Sequence, residues 1–490
     1  MDKLESALRN LENSDMYPFH MPGHKRKPVT EQLKSTYAWD ITEIDGFDNL
    51  HHAEGILKEE QEFAADLFGA DESFLLVNGS SCGVLAAITA VCEGKERILM
   101  SRNAHKSAYN ALYLANIKAD YLYPERIPEV PFAGPVSVEM VRQALETSDS
   151  YGSSYAGIFL TSPTYEGVIS DVRGICRIAH EKGIPVIVDE AHGAHLGIWG
   201  GDGYFPSGAL AQGADIVIQS LHKTLPAMTQ TAVLHVRGDL IDRQRLKMHL
   251  SMFQSSSPSY ILMESMISSL HYCDENRIEL GQGYRDNLKM VYREGKKLSR
   301  LKVWDQDLIR DQRRRCDGRK TEIVMDPGKI VIGTGNSGLT GKELYDILRE
   351  KYHLQMEMAA KDYVIAMTSV MDEQKDLERL ISALDEIDLR FSGEVMEKEK
   401  RLLKEPEERP EALYTIREAV GRKGEAVPLD KSEGKISQEF VYLYPPGIPL
   451  IVPGERIIKG MPMYLKESAE LGLSVQGLRD ERPGMICCID

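Results

Sequence analysis

Asp215-Ile216-Val217-Ile218-Gln219-Ser220-Leu221-His222-Lys223-Thr224-Leu225-Pro226 is the segment from which the rest of the chain can be interpreted. Its short apolar run predicts a buried strand, and the polar cluster that follows would then lie at the strand's carboxyl end. In an open α/β sheet, ligands bind in the crevice outside the carboxyl ends of the strands. Lys223 is therefore a candidate Schiff-base nucleophile. An ordinary loop lysine is the alternative that this segment leaves open, because the chain has 59 Lys and Arg residues.

The composition is typical of a globular protein with a large core. The 490 residues, 42% apolar and 27% charged, suffice for two to four domains of roughly 100–200 residues each. The net charge of −16 is unlike that of a nucleic-acid-binding protein, which normally carries a basic patch. We find no apolar run near the ~18 residues of a membrane span and no signal-peptide pattern. We therefore expect a cytoplasmic protein that binds neither nucleic acid nor membrane.

The seven cysteines are scattered and lack Cys-x-x-Cys spacing. This distribution suits a reducing compartment better than a disulfide framework or a zinc site, and we expect no metal. Four histidines near the start of the chain, at positions 20, 24, 51 and 52, receive no role from their spacing.

From about Ile56, helical and strand patterns alternate along the chain. Such alternation is the signature of an α/β domain with a mainly parallel sheet. Each apolar run stops at a turn that is polar or contains Gly or His, so the turns would meet at one edge of the sheet. The predicted helices cover Ile56–Phe68 and Val84–Cys92, with a long helical pattern over Ser259–Leu301, and the predicted strands are Phe74–Val77, Arg97–Met100, Gly157–Leu160, Pro185–Val188 and Ile216–Ile218.

The remaining chain divides into smaller parts. A second α/β unit is predicted from the strands Lys329–Ile332 and Tyr363–Met367 and the helix Thr340–Tyr352. The prolines of the last segment, in Tyr-Pro-Pro-Gly-Ile-Pro and Val-Pro-Gly-Glu, are expected to exclude a regular element there. The predicted domains are an N-terminal segment 1–50, a large cofactor-binding domain 51–300, a small α/β domain 301–392, a charged linker 393–411 and a C-terminal domain 412–490.

Gly79-Ser80-Ser81 lies between a predicted strand and the start of a helix. Such a position offers free backbone N–H groups and a favourable dipole to an anion, and the hydroxyls add donors. The turn matches neither the Walker motif nor the Gly-x-Gly-x-x-Gly fingerprint. Phosphate is the expected ligand, and a simple helix cap without a ligand is the alternative.

Asp189 ends a predicted strand 34 residues before Lys223. Pyridoxal phosphate requires a lysine for covalent attachment and commonly an acid beside its pyridine nitrogen. His105, at the end of a neighbouring strand, is placed to stack on the ring. Taken singly, His105 could instead cap a helix, and His192 and His195 could fill a turn. The order of phosphate turn, histidine, aspartate and Ser-x-His-Lys predicts a pyridoxal-phosphate site.

These motifs together resemble the fold-type-I pyridoxal-phosphate enzymes of the ornithine/lysine/arginine decarboxylase family, in its short form without an N-terminal receiver-like domain. The likeness covers nearly the whole chain and is specific for the family, but much less so for the substrate. It is carried by His20–Lys25, Asn78–Ser81, Asn103–Ser107, Ser162–Tyr165, Asp189–Gly193, Ser220–Lys223 and the terminal Tyr-Pro-Pro-Gly-Ile-Pro and Pro-Gly-Glu motifs.

The resemblance implies a role for each candidate site residue. Lys223 is the cofactor-linking lysine, Asp189 the partner of the pyridine nitrogen and His105 the ring-stacking residue. His192 occupies a position where larger members of the family carry tryptophan. The residues that hold or flank the phosphate are Gly79, Ser80, Ser81, Ser220 and His222.

The resemblance also implies a homodimer, or a higher homo-oligomer, with shared active sites. The stretch Ser255–Pro258, and Ser256 within it, resembles one that reaches the phosphate of a neighbouring subunit. Glu455, in the Pro-Gly-Glu turn, is a candidate to face the distal cation of the substrate.

The implied activity is decarboxylation of arginine, lysine or ornithine to an amine and carbon dioxide, as in polyamine biosynthesis. Lys223 or His222 would return a proton to Cα. Another pyridoxal-phosphate reaction, such as transamination or elimination, is one alternative because fold does not fix function. A non-catalytic regulatory paralogue is the other, and the intact set of Lys223, Asp189 and His105 argues against it.

Overall fold

The structure is a computed structural model that describes residues 2–150, 154–317, 323–390, 406, 408–445, 447–479 and 484–489. The helices are α1 (Lys3–Glu12), α2 (Lys34–Trp39), α3 (Ile56–Phe68), α4 (Gly79–Cys92), α5 (Lys106–Ala115), α6 (Val138–Ser150), α7 (Val172–His180), α8 (Ala194–Trp199), α9 (Leu221–Thr224), α10 (Arg243–Phe253), α11 (Tyr260–Glu275), α12 (Arg277–Gly295), α13 (Gln306–Asp317), α14 (Gly341–Tyr352), α15 (Gln374–Arg390), α16 (Ile416–Gly421) and α17 (Met461–Glu470). The strands are β1 (Glu72–Leu76), β2 (Arg97–Ser101), β3 (Lys118–Leu122), β4 (Ile158–Thr161), β5 (Val168–Ile169), β6 (Val186–Asp189), β7 (Ile216–Gln219), β8 (Ala232–Val236), β9 (Lys302–Trp304), β10 (Val324–Met325), β11 (Lys329–Gly333), β12 (Met358–Ala359), β13 (Tyr363–Met367), β14 (Gly424–Pro428), β15 (Ile436–Ser437), β16 (Val441–Tyr444), β17 (Pro449–Ile451), β18 (Ser474–Gln476) and β19 (Met485–Ile489). Short 3-10 helices cover Glu31–Leu33, Leu50–His52 and Leu429–Lys431.

The largest sheet has seven strands in the order β1-β8-β7-β6-β4-β2-β3. Only β8 runs antiparallel to its neighbours β1 and β7, and the other neighbouring pairs are parallel. This arrangement confirms the predicted α/β class with a mainly parallel sheet.

The central strands β4, β6 and β7 are apolar up to their last residue because both faces of the sheet are covered by helices there. Alternate side chains point to opposite faces, and Ile216 and Ile218 accordingly belong to one core while Val217 belongs to the other. Helices α4, α5 and α10 contribute to the first core, and α1, α3, α7 and α11 to the second. The apolar run before Gln219 is continuous because the side chains on both faces of this strand are buried under helices.

The register of the sheet brings the carboxyl ends of several strands to one edge. Thr161 pairs with Asp189, and Asp189 pairs with Ile218. The turns that follow β2, β4, β6 and β7 therefore open at the same edge, together with the end of β1.

A four-stranded antiparallel sheet, in the order β12-β13-β11-β9, forms the second α/β unit. Just before it, β10 pairs with β5, which follows β4 of the large sheet. Because β10 pairs with β5, the loop between β10 and β11 lies next to the edge of the large sheet, where Asp326 contacts His195.

The end of the chain contains two three-stranded sheets, in the orders β14-β19-β15 and β17-β16-β18. The expectation that the prolines of this segment exclude a regular element was wrong for Pro449, whereas Pro445 and Pro453 lie in turns outside the strands. Pro449 begins strand β17, and a proline is tolerated at the first position of a strand because its missing N–H need not join the ladder.

The long helical pattern over 259–301 is two helices, α11 and α12, separated at Asn276. None of the helices in the described residues combines the length and apolar character needed to cross a bilayer. The predicted charged linker, 393–411, falls largely outside the described residues, and the domain boundaries stay predictions.

Candidate active site

Lys223 lies in the short helix α9, immediately after strand β7, with Ser220 at the helix N-cap. Its Nζ atom is 3.0 Å from Nε2 of His192. Burial lowers the pKa of Lys223, and the charge of Asp189 opposes this shift. The amine is therefore easier to deprotonate than that of an exposed lysine, as a nucleophile requires.

Asp189 is the last residue of β6 and is only 5% exposed. Its Oδ1 atom accepts a hydrogen bond from the backbone N–H of Ala191 at 3.1 Å. Burial raises the pKa of Asp189, whereas the charge of Lys223 lowers it. A buried carboxylate of this kind is stabilised by a cationic or N–H partner.

His105 is the N-cap of α5. The structure thus shows the capping role that the sequence left open for this residue. Its Nδ1 atom accepts from the backbone N–H of Ser107 at 3.3 Å and lies 2.9 Å from the Ser107 hydroxyl. Burial, followed by the charges of Lys223 and Lys106, lowers the pKa of His105 to about 4. The ring is thus neutral at pH 7, and capping leaves its flat face available for stacking.

The predicted phosphate turn forms the first turn of α4, a helix of 14 residues. Gly79 has a φ of +74°, a conformation that favours glycine. Asn78, at the N-cap, makes no side-chain capping bond. Ser80 is half-buried and Ser81 is exposed, and the turn follows β1 at the same sheet edge as Lys223.

Several buried polar atoms at this edge have no hydrogen-bond partner within the described residues. They include Oγ of Ser220, Oγ1 of Thr161 and Nδ1 of His192. Buried polar groups are nearly always paired in native proteins, and an unpaired one indicates a missing ion, water or ligand. Together with the lysine, the carboxylate and the neutral ring, these atoms fit a phosphorylated pyridine cofactor.

His222 is half-buried beside Lys223. Its Nδ1–H donates to the backbone carbonyl of Thr231 at 2.8 Å. Burial lowers the pKa of His222. In the neutral ring this tautomer leaves Nε2 without a proton, so Nε2 accepts and does not donate.

Ser256 lies in the loop between α10 and α11, and its side chain is exposed. The loop is anchored next to the phosphate turn, because the Ser255 backbone N–H donates to Oδ1 of Asn78 at 3.1 Å. His51 also contacts the loop, with Nε2 2.7 Å from the Ser255 carbonyl oxygen. The reach of Ser256 into a second subunit stays a prediction.

A buried charged group beneath the site was missed from the sequence. Nζ of Lys329 lies 2.9 Å from the carbonyl oxygen of His192 and 3.0 Å from Oδ2 of Asp326. Asp326 also accepts from Nε2 of His195 at 3.0 Å, and all three side chains are fully buried. Burial opposes ionisation of Asp326, but the charges of His195 and Lys329 hold its pKa far below the ordinary range. The sequence signal that could have revealed this group is a lysine, Lys329, as the first residue of an otherwise apolar strand.

Tyr165 and Glu357 border the site on the side of the second sheet. The ring centroid of Tyr165 is 4.6 Å from that of His192, and its hydroxyl donates to Oε1 of Glu357. Glu357 is close enough to Lys223 to raise that lysine's pKa against the effect of burial. Neither residue was predicted as part of the site.

Glu455 does not face open space for a substrate cation, contrary to the sequence expectation. Its Oε2 atom accepts from Nη2 of Arg102 at 3.1 Å and from the backbone N–H of Val452 at 3.1 Å. Both Glu455 and Arg102 are buried. Arg102 follows β2, so the pair joins the large sheet to the C-terminal part of the chain.

The four unassigned histidines lie among ordinary loop contacts. His24 pairs with Asp40 at 3.1 Å and His52 with Glu54 at 3.2 Å, and Nδ1 of His20 lies 2.5 Å from the Met21 carbonyl oxygen. Among the described residues, none of them belongs to a cluster with metal-ligand geometry.

Comparison with known proteins identifies relatives over the full chain. The profile "Orn/Lys/Arg decarboxylase, major domain" matches residues 3–376, and "Orn/Lys/Arg decarboxylase, C-terminal domain" matches residues 394–487. The arginine decarboxylase of Bacillus subtilis is 31% identical over 99% of this chain and 96% of its own length. The uncharacterized protein YaaO of the same organism is 34% identical over 97% of this chain and 95% of its own length.

The same fold occurs in solved structures. The lysine decarboxylase LdcF of Francisella novicida superposes with a TM-score of 0.82, at 20% identity, over all of this chain and 81% of its own. At this level of identity the likeness shows the fold alone.

Proposed function

The chain belongs to the Orn/Lys/Arg decarboxylase family and is an amino-acid decarboxylase; we propose that it uses pyridoxal phosphate and acts on a basic amino acid, arginine first. The observation that carries the proposal is the buried Lys223 amine, 3.0 Å from His192 and coupled electrostatically to Asp189. Arginine is placed before lysine and ornithine because the Bacillus subtilis relative, at 31% identity over nearly the whole chain, is an arginine decarboxylase.

When bound, pyridoxal phosphate supplies an electron sink for the pair left behind by the departing carboxylate. Lys223 would hold its aldehyde carbon, since the amine stands at the end of β7 with a lowered pKa. Asp189 would pair with the pyridine nitrogen, because a buried carboxylate stabilises the protonated ring nitrogen. His105, neutral at pH 7, would stack on the ring face.

The phosphate would lie at the start of α4. The backbone N–H groups of a helix N-terminus and its dipole attract an anion, and Ser80, Ser81 and Ser220 would add hydroxyl donors. The unpaired Oγ of Ser220 supports this assignment. His222 would flank the phosphate, and it would donate from Nε2 only as an imidazolium.

Lys223 is the proposed proton donor to Cα of the substrate after carbon dioxide leaves. With the substrate bound, the Lys223 amine would no longer be needed to hold the cofactor and would be free to carry a proton. His192 is in position to accept a hydrogen bond from this amine and so to orient it. His222 is less suited, because its proton is on Nδ1 and is directed at the Thr231 carbonyl.

We also propose a homodimer with shared sites. The loop with Ser256 is held beside the Asn78–Gly79 turn by Ser255, while the Ser256 side chain remains exposed and available to a second subunit. Sedimentation of the purified protein would test this proposal, and a monomer at enzyme-assay concentration would contradict it.

The activity is tested by supplying the purified, cofactor-loaded protein with arginine, lysine or ornithine. Mass spectrometry of the amine product and measurement of released carbon dioxide should give equal amounts of agmatine and carbon dioxide from arginine. Formation of a keto acid without carbon dioxide would instead indicate transamination. Absence of either product from all three amino acids would contradict the proposal.

A further inference from the structure

A decarboxylase that selects basic amino acids must hold a cation at the far end of the substrate side chain. A carboxylate is the natural partner, since charge-assisted hydrogen bonds are the strong ones. Glu455, which the sequence suggested for this role, is buried, and its charge is already balanced by Arg102 through Oε2. The partner is therefore to be sought among the carboxylates that border Lys223.

A continuous row of contacts leads from the reactive amine to one such carboxylate. Nζ of Lys223 lies 3.0 Å from the His192 ring, and the His192 ring packs against the Tyr165 ring. The Tyr165 hydroxyl then donates to Oε1 of Glu357. Glu357 also raises the pKa of Lys223 against the effect of burial.

The carboxylate of Glu357 is accessible and holds no cation among the described residues. Its backbone is fixed, because its N–H donates to the Ile365 carbonyl at 2.9 Å at the edge of the second sheet. Because the Glu357 side chain is exposed, a substrate can approach its carboxylate from solvent.

The neighbouring carboxylate, Glu166, is a weaker candidate. One of its oxygens accepts from the Thr164 hydroxyl at 3.1 Å and the other from the Tyr363 hydroxyl at 2.8 Å. Both of its oxygens are therefore bonded within the protein, whereas in the described part of the chain the Glu357 carboxylate accepts one such bond, from Tyr165.

We propose that Glu357 binds the guanidinium or ammonium group at the far end of the substrate side chain, with Tyr165 holding the carboxylate in place. This inference rests on the proposed decarboxylation of a basic amino acid. A guanidinium presents a planar set of N–H donors that matches a carboxylate, and so arginine can donate two parallel hydrogen bonds. Lysine and ornithine would offer a single ammonium.

The test compares arginine with citrulline, in which a neutral ureido group replaces the guanidinium. The wild-type protein should decarboxylate arginine far better than citrulline. Glu357→Gln should raise KM for arginine on the order of 10- to 100-fold, as expected from the loss of a hydrogen bond to a charged group. Its kcat should change little, since the contact is lost equally in the ground and transition states. Its preference for arginine over citrulline should largely vanish.

Glu350→Gln is the matched control, because Glu350 is an exposed glutamate on α14 that pairs with the neighbouring Arg349. It should leave KM and the arginine preference unchanged. An unchanged KM and preference in Glu357→Gln, with an active wild-type protein, would overturn the subsite and leave the proposed function intact. A wild-type protein that decarboxylates no basic amino acid would overturn both.

Glu357→Asp keeps the negative charge. It serves as a second variant in case Glu357→Gln fails to fold. It should retain the preference for arginine over citrulline and the visible absorbance of the bound cofactor. Loss of that absorbance in both variants would assign Glu357 to maintenance of the cofactor site and would overturn its role in substrate binding.

Discussion

The Lys223 amine and the His192 imidazole face each other at 3.0 Å between Nζ and Nε2. Burial lowers the pKa of both groups, and the charge of Lys223 lowers that of His192 further. The pair therefore carries at most one positive charge at neutral pH, and the amine donates to a neutral ring. The proton of that ring is then on Nδ1, which has no partner within the described residues.

Lys223→Ala should abolish the visible absorbance of the lysine-bound cofactor and the decarboxylase activity, because no other amine stands at the end of β7. Spectroscopy of the purified protein with added pyridoxal phosphate measures the effect. Lys58→Ala, an exposed position on α3, is the control and should retain the absorbance. A yellow Lys223→Ala protein would contradict the assignment.

His192→Phe should shift the pH profile of cofactor attachment. The hydrogen bond to Nε2 favours the protonated amine, so its loss should lower the pKa of Lys223 further and move the profile to lower pH. A bond of about 1 kcal/mol corresponds to roughly 0.5 to 1 pH unit. Stopped-flow absorbance over a pH series measures the midpoint. His192→Gln, which keeps an acceptor, should shift it less, and an upward shift in His192→Phe would be inconsistent with this contact.

Lys329→Met should destabilise the protein by about 3–5 kcal/mol, as expected when one partner of a buried ion pair is removed. Asp326 would lose its ammonium partner and keep its contact with His195, and the His192 carbonyl would lose its donor. Urea unfolding provides the measurement. Lys289→Met, at an exposed site on α12, should change stability by less than about 0.5 kcal/mol, and an equal loss in both variants would argue against a buried pair.

Arg102 and Glu455 should be coupled energetically. Burial raises the pKa of Glu455 and the Arg102 charge opposes that shift, so each ion depends on the other. In a double-mutant cycle with Arg102→Met and Glu455→Gln, the coupling energy should be about 1–3 kcal/mol. The exposed pair Arg349–Glu350 should give less than about 1 kcal/mol. Additive effects at Arg102 and Glu455 would show that the pair does not act as a unit.

Glu264 should make stability depend on pH. Burial and the nearby charges of Asp2, Glu5 and Glu60 raise the pKa of Glu264 from 4.5 to about 7. Because the folded-state pKa is raised, stability present below pH 4.5 should be lost as the pH rises to about 7, on the order of 3 kcal/mol.

Glu264→Gln should therefore be more stable than the wild type at pH 8, and this advantage should disappear at pH 4.5. Thermal unfolding at the two pH values checks the expectation. Glu275→Gln, at an exposed position of the same helix, should show no such difference. A Glu264→Gln variant that gains equally at both pH values would contradict a titrating carboxylate.

Local patterns were sufficient for most of the fold. Helix α3 was predicted at its observed bounds, and the strands that end at Asp189 and near Ser220 were predicted within one residue. The helix and the strands were predicted from the pattern of apolar residues, which reflects burial of one face of a helix or of both faces of a strand. Pro449 contradicted the prediction for the end of the chain, because a strand tolerates proline at its first residue.

The sequence by itself determined the family, the α/β class and the order in which Gly79, His105, Asp189 and Lys223 reach one sheet edge. Each of these is a property of a short segment and of the rule that parallel strands end together. Only the tertiary structure decided which charges meet. Lys329 lies 137 positions from His192 and Glu357 lies 192 from Tyr165 along the chain, while Glu455 pairs with Arg102. Such contacts depend on how the second sheet and the C-terminal sheets pack against the first, and no local periodicity encodes that arrangement.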